Sequence, residues 1–327
     1  MKFKTANLIV LQALLCCLSV VLDLRASEPE TVCMSDQIWL VSARQHCECS
    51  CSSEFPVQFY SCNGWHDSDF GTLIGTNHSS MRTVVFVHGY QTDLCDAQTR
   101  GVQVFKNLFG CCQDRQPIRF VIWAWKSEKE IARRPLQDFS IISQRAISLG
   151  PAFAHTMDLV ANDGTVVVAY SLGAQVVVSG MTGNCQYGGP PIQLAVIAAA
   201  NDCGFASCCR DRICGCNSIA GTTIFLNNKD RAIRASNMIC RLQYGRHYRK
   251  FDELAVCSQG ALGCVNLVDV SGEASKKHSV VRYTALPTIG CVIRRLVCEC
   301  GMGCGVCSDE SQSLHLQSIP DRVHDGA

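Results

Sequence analysis

The chain has 327 residues, of which 47% are apolar and 17% charged, with a formal net charge of +1 at pH 7. That supplies a large core, leaves no compositionally disordered domain, and lacks the basic excess that nucleic-acid binding requires. Its 24 cysteines are the one outlying count.

The N-terminus opens with Lys2 and Lys4, then an apolar run from Leu8 to Leu22, then Ala26. This pattern predicts a secretory signal peptide over residues 1–26. An uncleaved membrane anchor is the competing reading. Asp23 and Arg25 close the run at roughly 15 residues, short of the ~20 that span a bilayer, and no later segment is long and apolar enough. Export in turn makes the cysteines a disulfide framework. They cluster at Cys47, Cys49, Cys51; at Cys111, Cys112; at Cys203, Cys208, Cys209, Cys214, Cys216; and at Cys298, Cys300, Cys304, Cys307. A metal site in the last cluster is the alternative, although only Cys304 and Cys307 have the C-x₂-C spacing. No metal ligand and no cofactor is assigned.

Beyond the leader, a domain is expected over residues 33–307, followed by a flexible polar tail over 308–327. Gln37 to Ser42 and Pro56 to Tyr60 read as strands, and Asn63-Gly64 and Asp67 to Asp69 as turns. Arg82 to Val87 (RTVVFV) is a buried strand closed by His88-Gly89. Asp96 to Phe109 has helical spacing. Arg119 to Trp125 is a second buried strand. Ile141 to Val160 reads as a long helix interrupted near Gly150-Pro151. Thr165 to Ala169 (TVVVA) is a third buried strand, with a helix from Gly173 to Met181. Gln193 to Ala200 and Thr222 to Leu226 are further strands, and Asp230 to Arg241 is helical. Continuous apolar strands alternating with helices predict an α/β fold: a mostly parallel sheet with helices on both faces.

Two motifs carry chemistry. In Ala169-Tyr170-Ser171-Leu172-Gly173 a serine sits between small residues where a buried strand meets a helix. That is the nucleophile-elbow pattern, in which a tight turn lifts the serine hydroxyl above the sheet edge. The usual first glycine is here Ala169. The turn also aims the Leu172 amide at a developing oxyanion. In Val84 to Tyr90 (VVFVHGY) a buried strand ends in His-Gly, where such folds place the second oxyanion donor, here the Tyr90 amide. His88 itself reads as a structural residue of that loop.

The order of IWLVSARQ, VVFVHGYQTD, RFVIWAWKSE, AYSLGAQV, FLNNKDRAI and KKHSVVRY resembles the bacterial α/β-hydrolase family of unknown function called DUF900, over roughly residues 37 to 285. The resemblance implies an α/β-hydrolase fold and a Ser-Asp-His triad. It places the acid at Asp230, in Asn227-Asn228-Lys229-Asp230, with Asp202 as the other candidate. Helix capping is the competing role for Asp230. It places the base at His278, which follows Ser171 and Asp230 in the chain order this fold uses. The expected activity is that of an exported serine hydrolase acting on a carboxylic ester or related acyl bond, with a small-molecule or lipid-like substrate. A catalytically silent binding protein on the same fold, or a cysteine-rich metal-binding module, are the alternatives. Trp123, Trp125, Tyr90 and Tyr170 are candidates to line an apolar acyl pocket, or to be core. Asn77-His78-Ser79 fits a glycosylation sequon.

Overall fold

A computed structural model describes residues 36–45, 55–78, 80–111, 115–131, 133–182, 187–199, 216–236 and 265–298. The leader, the tail, Asp202 and most of the clustered cysteines lie outside these residues. The described strands are β1 (Gln37–Ser42), β2 (Val57–Ser61), β3 (Gly64–Ser68), β4 (Arg82–Val87), β5 (Ile118–Ala124), β6 (Val166–Tyr170), β7 (Ile192–Ile197), β8 (Ile219–Leu226) and β9 (Val265–Asp269). The helices are α1 (Phe70–Gly75), α2 (Leu94–Phe109), α3 (Pro135–Ser148), α4 (Gly150–Val160), α5 (Gly173–Thr182), α6 (Val280–Thr284) and α7 (Pro287–Cys298). Residues 231–236 are also helical.

All nine strands form one sheet in the order β3-β2-β1-β5-β4-β6-β7-β8-β9. From β1 to β9 every pairing is parallel, while β2 and β3 add an antiparallel edge. Strands buried on both faces need apolar side chains on both, and β4 shows this directly. Val85 and Val87 join one core with Ile142 of α3, Phe153 of α4 and Val177 of α5. Val84 and Phe86 join the other with Phe105 of α2, Tyr283 of α6 and Ile293 of α7. Each such side chain contributes roughly 1.5–3 kcal/mol on burial, so the two-faced core dominates stability. The molecule therefore has the α/β-hydrolase architecture, a mostly parallel sheet covered by helices on both sides.

Several boundaries differ from the expectations. The stretch Asp67 to Asp69 is not all turn. Gly64–Ser68 pairs with β2 as the sheet's edge strand, and Asp69 caps α1 by accepting from the Thr72 amide at 2.8 Å. The helical stretch expected from Ile141 begins earlier, at Pro135, and its expected break near Gly150-Pro151 falls at Leu149, between α3 and α4. Pro151 in the first turn of α4 has no amide hydrogen and cannot continue α3. Trp123 and Trp125 are wholly buried. The Trp123 indole donates to Thr156 Oγ1 at 3.2 Å, so both tryptophans belong to the core and not to a substrate pocket.

At the opposite end of the sheet from the elbow, Arg119 is buried and has no carboxylate partner among the described residues. It donates to Asn77 Oδ1 and Thr83 Oγ1, both at 2.9 Å, and to the Val160 carbonyl. Burial pushes its pKa down to about 10, still charged at neutral pH. Asn77 also accepts from Asn162 Nδ2 at 3.2 Å. The sequon asparagine is thus committed to holding a buried guanidinium.

Candidate active site

The site starts at the C-terminal end of β6. Ser171 follows directly, at φ 54°, in the left-handed region that L-residues avoid. Such a conformation costs on the order of 1–3 kcal/mol and persists only where the surroundings enforce it. Here the Ser171 amide donates to Ile197 O of β7 at 3.0 Å, and its carbonyl accepts from Ala174 of α5 at 3.2 Å. Gly173 is obligatory: a Cβ there would lie 2.5 Å from Val87 O and 2.7 Å from His88 O. Ala169, where glycine is usual, points its methyl group into the core and is fully buried.

His278 lies on the loop before α6. Its Nδ1 is 2.8 Å from Asp230 Oδ2 and its Nε2 is 2.9 Å from Ser171 Oγ. An ionised carboxylate only accepts, so Nδ1 carries the proton and Nε2 is free to accept from the serine hydroxyl. The Tyr170 ring lies against the imidazole at 5.0 Å. The structure thus brings Ser171, His278 and Asp230 into one hydrogen-bonded line.

Asp230 is fully buried and does two jobs. Its Oδ1 accepts from the amides of Ala232 at 2.8 Å and Ile233 at 3.2 Å, capping the helical residues 231–236. Its Oδ2 takes His278 and also the hydroxyl of Tyr283 at 2.6 Å. Burial would raise its pKa, but the hydrogen bond and charge of His278, the Tyr283 hydroxyl and the Ile233 amide outweigh burial and hold it below the ordinary value. Asn227 Nδ2 donates to the Tyr283 oxygen at 2.8 Å. Tyr283 escapes a reading of the sequence, because nothing local in VVRYT marks it as a carboxylate's partner. Asn227 at least lies inside the NNKD run.

The His88-Gly89-Tyr90 loop packs on the serine. A Cβ on Gly89 would come within 2.7 Å of Ser171 Cβ, so only glycine lets β4 end this close to the elbow. His88 is buried, with its ring stacked on Trp125 at 5.8 Å and 8°. Its Nε2 accepts from the Trp125 amide at 3.1 Å, and its Nδ1 donates to Gly89 O at 3.0 Å. Burial above all pushes its pKa down to about 4. It is a neutral brace of the loop, as its position in the sequence suggested. Tyr90 donates its hydroxyl to Asp138 Oδ2. Asp138 Oδ1 accepts from the amides of Glu130 at 2.7 Å and Ile131 at 2.6 Å. Asp138 is a second residue whose role only the tertiary structure reveals.

Above Ser171 and His278 lies a cleft of about 760 Å³. Phe86, Tyr90, Leu136, Phe139, Val280 and Val281 make much of its wall. Its size suits a small organic ligand. Tyr170 lines it too, so two of the four predicted aromatic liners are in place. Leu172 follows Ser171 at the start of α5, as the elbow pattern requires.

Cys62, Cys95 and Cys216 are free thiols, and the last donates to Met181 O at 2.9 Å. The other cysteines of its cluster lie outside the described residues. Among the described residues no group of three or more His, Cys, Asp or Glu side chains is placed to share a metal ion. Among the same residues no helix is long and apolar enough to cross a membrane.

No curated protein and no solved structure matches the chain. A family model described as "Alpha/beta hydrolase of unknown function (DUF900)" matches residues 67–282, a span that runs from β3 past the elbow and Asp230 to His278 and α6. With the sheet order and that match in agreement, the chain belongs to the DUF900 family of α/β hydrolases.

Proposed function

We propose that this hydrolase is a serine hydrolase that cleaves a carboxylic ester, or a related acyl bond, through an acyl-enzyme. The observation that carries the reading is the line Ser171 Oγ to His278 Nε2 at 2.9 Å and His278 Nδ1 to Asp230 Oδ2 at 2.8 Å, at the floor of a cleft. A serine hydroxyl is a poor nucleophile until a positioned base takes its proton. His278 Nε2 takes that proton as Oγ bonds to the carbonyl carbon, and Asp230 stabilises the resulting imidazolium. The amides of Leu172 and Tyr90 hold the oxyanion. As the tetrahedral adduct collapses, the bond to the leaving group breaks and His278 protonates the departing oxygen. Water then attacks the acyl-enzyme with His278 again as base, releasing the acid and restoring Ser171.

A fluorophosphonate probe should label the full-length protein at Ser171, and the protein should hydrolyse short p-nitrophenyl esters. Ser171→Ala should abolish labelling and lower kcat by about 10⁴-fold or more. A folded wild type that is neither labelled nor active would overturn the reading in favour of a binding protein. Export rests on the leader at residues 1–26 and belongs to the same proposal. Detection of the mature protein without that segment outside the cytoplasm would support it.

A further inference from the structure

The cleft has an apolar wall of Phe86, Leu136, Phe139, Val280 and Val281, with neutral polar groups such as Gln91, Thr92 and Ser236 between. Among the described residues that line it, Arg100 carries the only permanent charge. Arg100 lies one turn after Ala97 on α2, and both line the cleft. Positions three apart share a helix face, so this placement follows from the helix itself. The helix is held in register by Asn107, whose Nδ2 donates to Val281 O at 2.9 Å and to Thr284 Oγ1 at 3.2 Å on α6. Val280 and Val281 of α6 are wall residues of the same cleft, so α2 and α6 form one fixed side of it.

Among the described residues the Arg100 guanidinium is engaged at one point. Its Nη2 meets Asp96 Oδ2 at 3.0 Å, in an i,i+4 pair that is 45% and 38% exposed. Exposed pairs of this kind contribute little, so the contact orients the fork without saturating it. Nε and Nη1 make no hydrogen bond to any described residue. Its positive charge is close enough to act on the Tyr170 phenol beside His278, opposing the upward push that burial gives that phenol. Exposed cations extend the same field. Arg231 and Arg234 alternate with Ala232 and Ala235, which line the cleft, and Lys276 and Lys277 precede His278.

A ligand that fills this cleft strips water from Arg100. If that ligand is wholly apolar, it leaves a charge with fewer partners than it had in water, which is unfavourable. If it carries a carboxylate or phosphate, the planar fork pairs with it through charge-assisted hydrogen bonds. We infer that Arg100 is a specificity-determining residue that selects acyl esters bearing an anionic group, with the hydrocarbon part against Phe139, Leu136 and Val281. The inference rests on the hydrolase reading of the same site and narrows its substrate class. The anion could lie on the acyl side or on the leaving group, and the test separates these.

Three chromogenic esters suffice: neutral p-nitrophenyl butyrate, mono-p-nitrophenyl glutarate with its anion on the acyl side, and the butyrate ester of 5-hydroxy-2-nitrobenzoate with its anion on the leaving group. The readout is the factor by which Arg100→Gln changes kcat/KM for each, which cancels their intrinsic reactivities. Arg100→Gln should lower kcat/KM for at least one anionic ester about tenfold more than for the neutral one, mainly through KM. Arg100→Lys should restore part of that loss, because it keeps the charge and loses the fork. The arm that falls identifies the side carrying the anion. An equal factor for all three esters in Arg100→Gln, at unchanged Tm, would overturn the inference and leave the hydrolase intact. No turnover of any ester together with no labelling of Ser171 would overturn both.

Discussion

The Asp230 carboxylate is reached from two sides, and the second side is not part of the proton relay. Asn227 donates to the Tyr283 oxygen at 2.8 Å, and Tyr283 donates to Asp230 Oδ2 at 2.6 Å, the atom that also takes His278. A hydrogen bond to a charged group contributes roughly 1.5–3 kcal/mol, and a buried carboxylate that loses one has no water to replace it. Tyr283→Phe keeps the ring and removes only the donor. It should lower the unfolding free energy at pH 7 by about that amount in urea denaturation. The direction with pH follows from the depressed pKa of Asp230. The stabilisation is in full force above the unfolded carboxyl value of about 3.9 and is lost as pH falls through the lower folded value. The Phe variant, with a weaker depression, should unfold in acid at a higher pH than wild type. If Tyr283 only fills space, Phe would be neutral in both measurements.

Elements, more than single residues, set the geometry of the elbow. The ends of β4 and β6 approach so closely that Gly89 and Gly173 have no room for a side chain. Gly89→Ala places a methyl group 2.7 Å from Ser171 Cβ, inside any normal contact. The loop or the serine must shift, at a cost of about 1–3 kcal/mol, and on the proposed mechanism displacing the Tyr90 amide lowers kcat by roughly 10²-fold or more. Activity should therefore fall much further than Tm, as ester kinetics and calorimetry on one preparation would show. A loss of Tm with kcat retained would contradict this. The same elements explain what the sequence discloses. RTVVFV, RFVIWA and VVVAY are apolar on both faces, so their burial and parallel pairing are legible without any contact. The edge strand GWHDS is polar and half-exposed, and its residues are also turn formers, so it reads as a turn. β9 and α6 are only five residues each and pass unread, and α7 also passes unread although Ile289, Ile293 and Val297 recur at helical spacing. Ser171 announces itself through its neighbours. Asp230 and His278 stand far apart in the chain and needed the family resemblance. Tyr283 and Asp138 act through tertiary hydrogen bonds that leave no local pattern. Trp123 and Trp125 stay undecided between pocket and core in the sequence, because an aromatic side chain suits both equally well.

For the molecule as a whole, the net charge of +1 at pH 7 counts nine histidines as neutral, so mild acid adds positive charge and self-repulsion to the fold. Among the described residues, buried His88 adds a specific response of its own. It joins the end of β4 to Trp125 just past β5 and holds the loop over Ser171, and it does so as a neutral ring. Nε2 accepts from an amide, so a proton there would face another N–H. Burial, the largest influence, lowers its pKa from 6.5 to about 4. Between those values the unfolded chain binds a proton that the folded chain refuses. Stability is therefore complete above pH 6.5 and declines as pH falls toward 4, by on the order of 3 kcal/mol. His88→Gln retains an acceptor for the Trp125 amide and removes the titration. Its unfolding free energy should be lower than that of wild type at pH 7, because the stacked ring is lost. It should also be flatter between pH 6.5 and 4, so that the two curves converge in acid. Urea denaturation at pH 7, 5.5 and 4.5 measures both slopes. Parallel curves would mean that the acid sensitivity of the fold arises elsewhere and that His88 braces the loop without titrating.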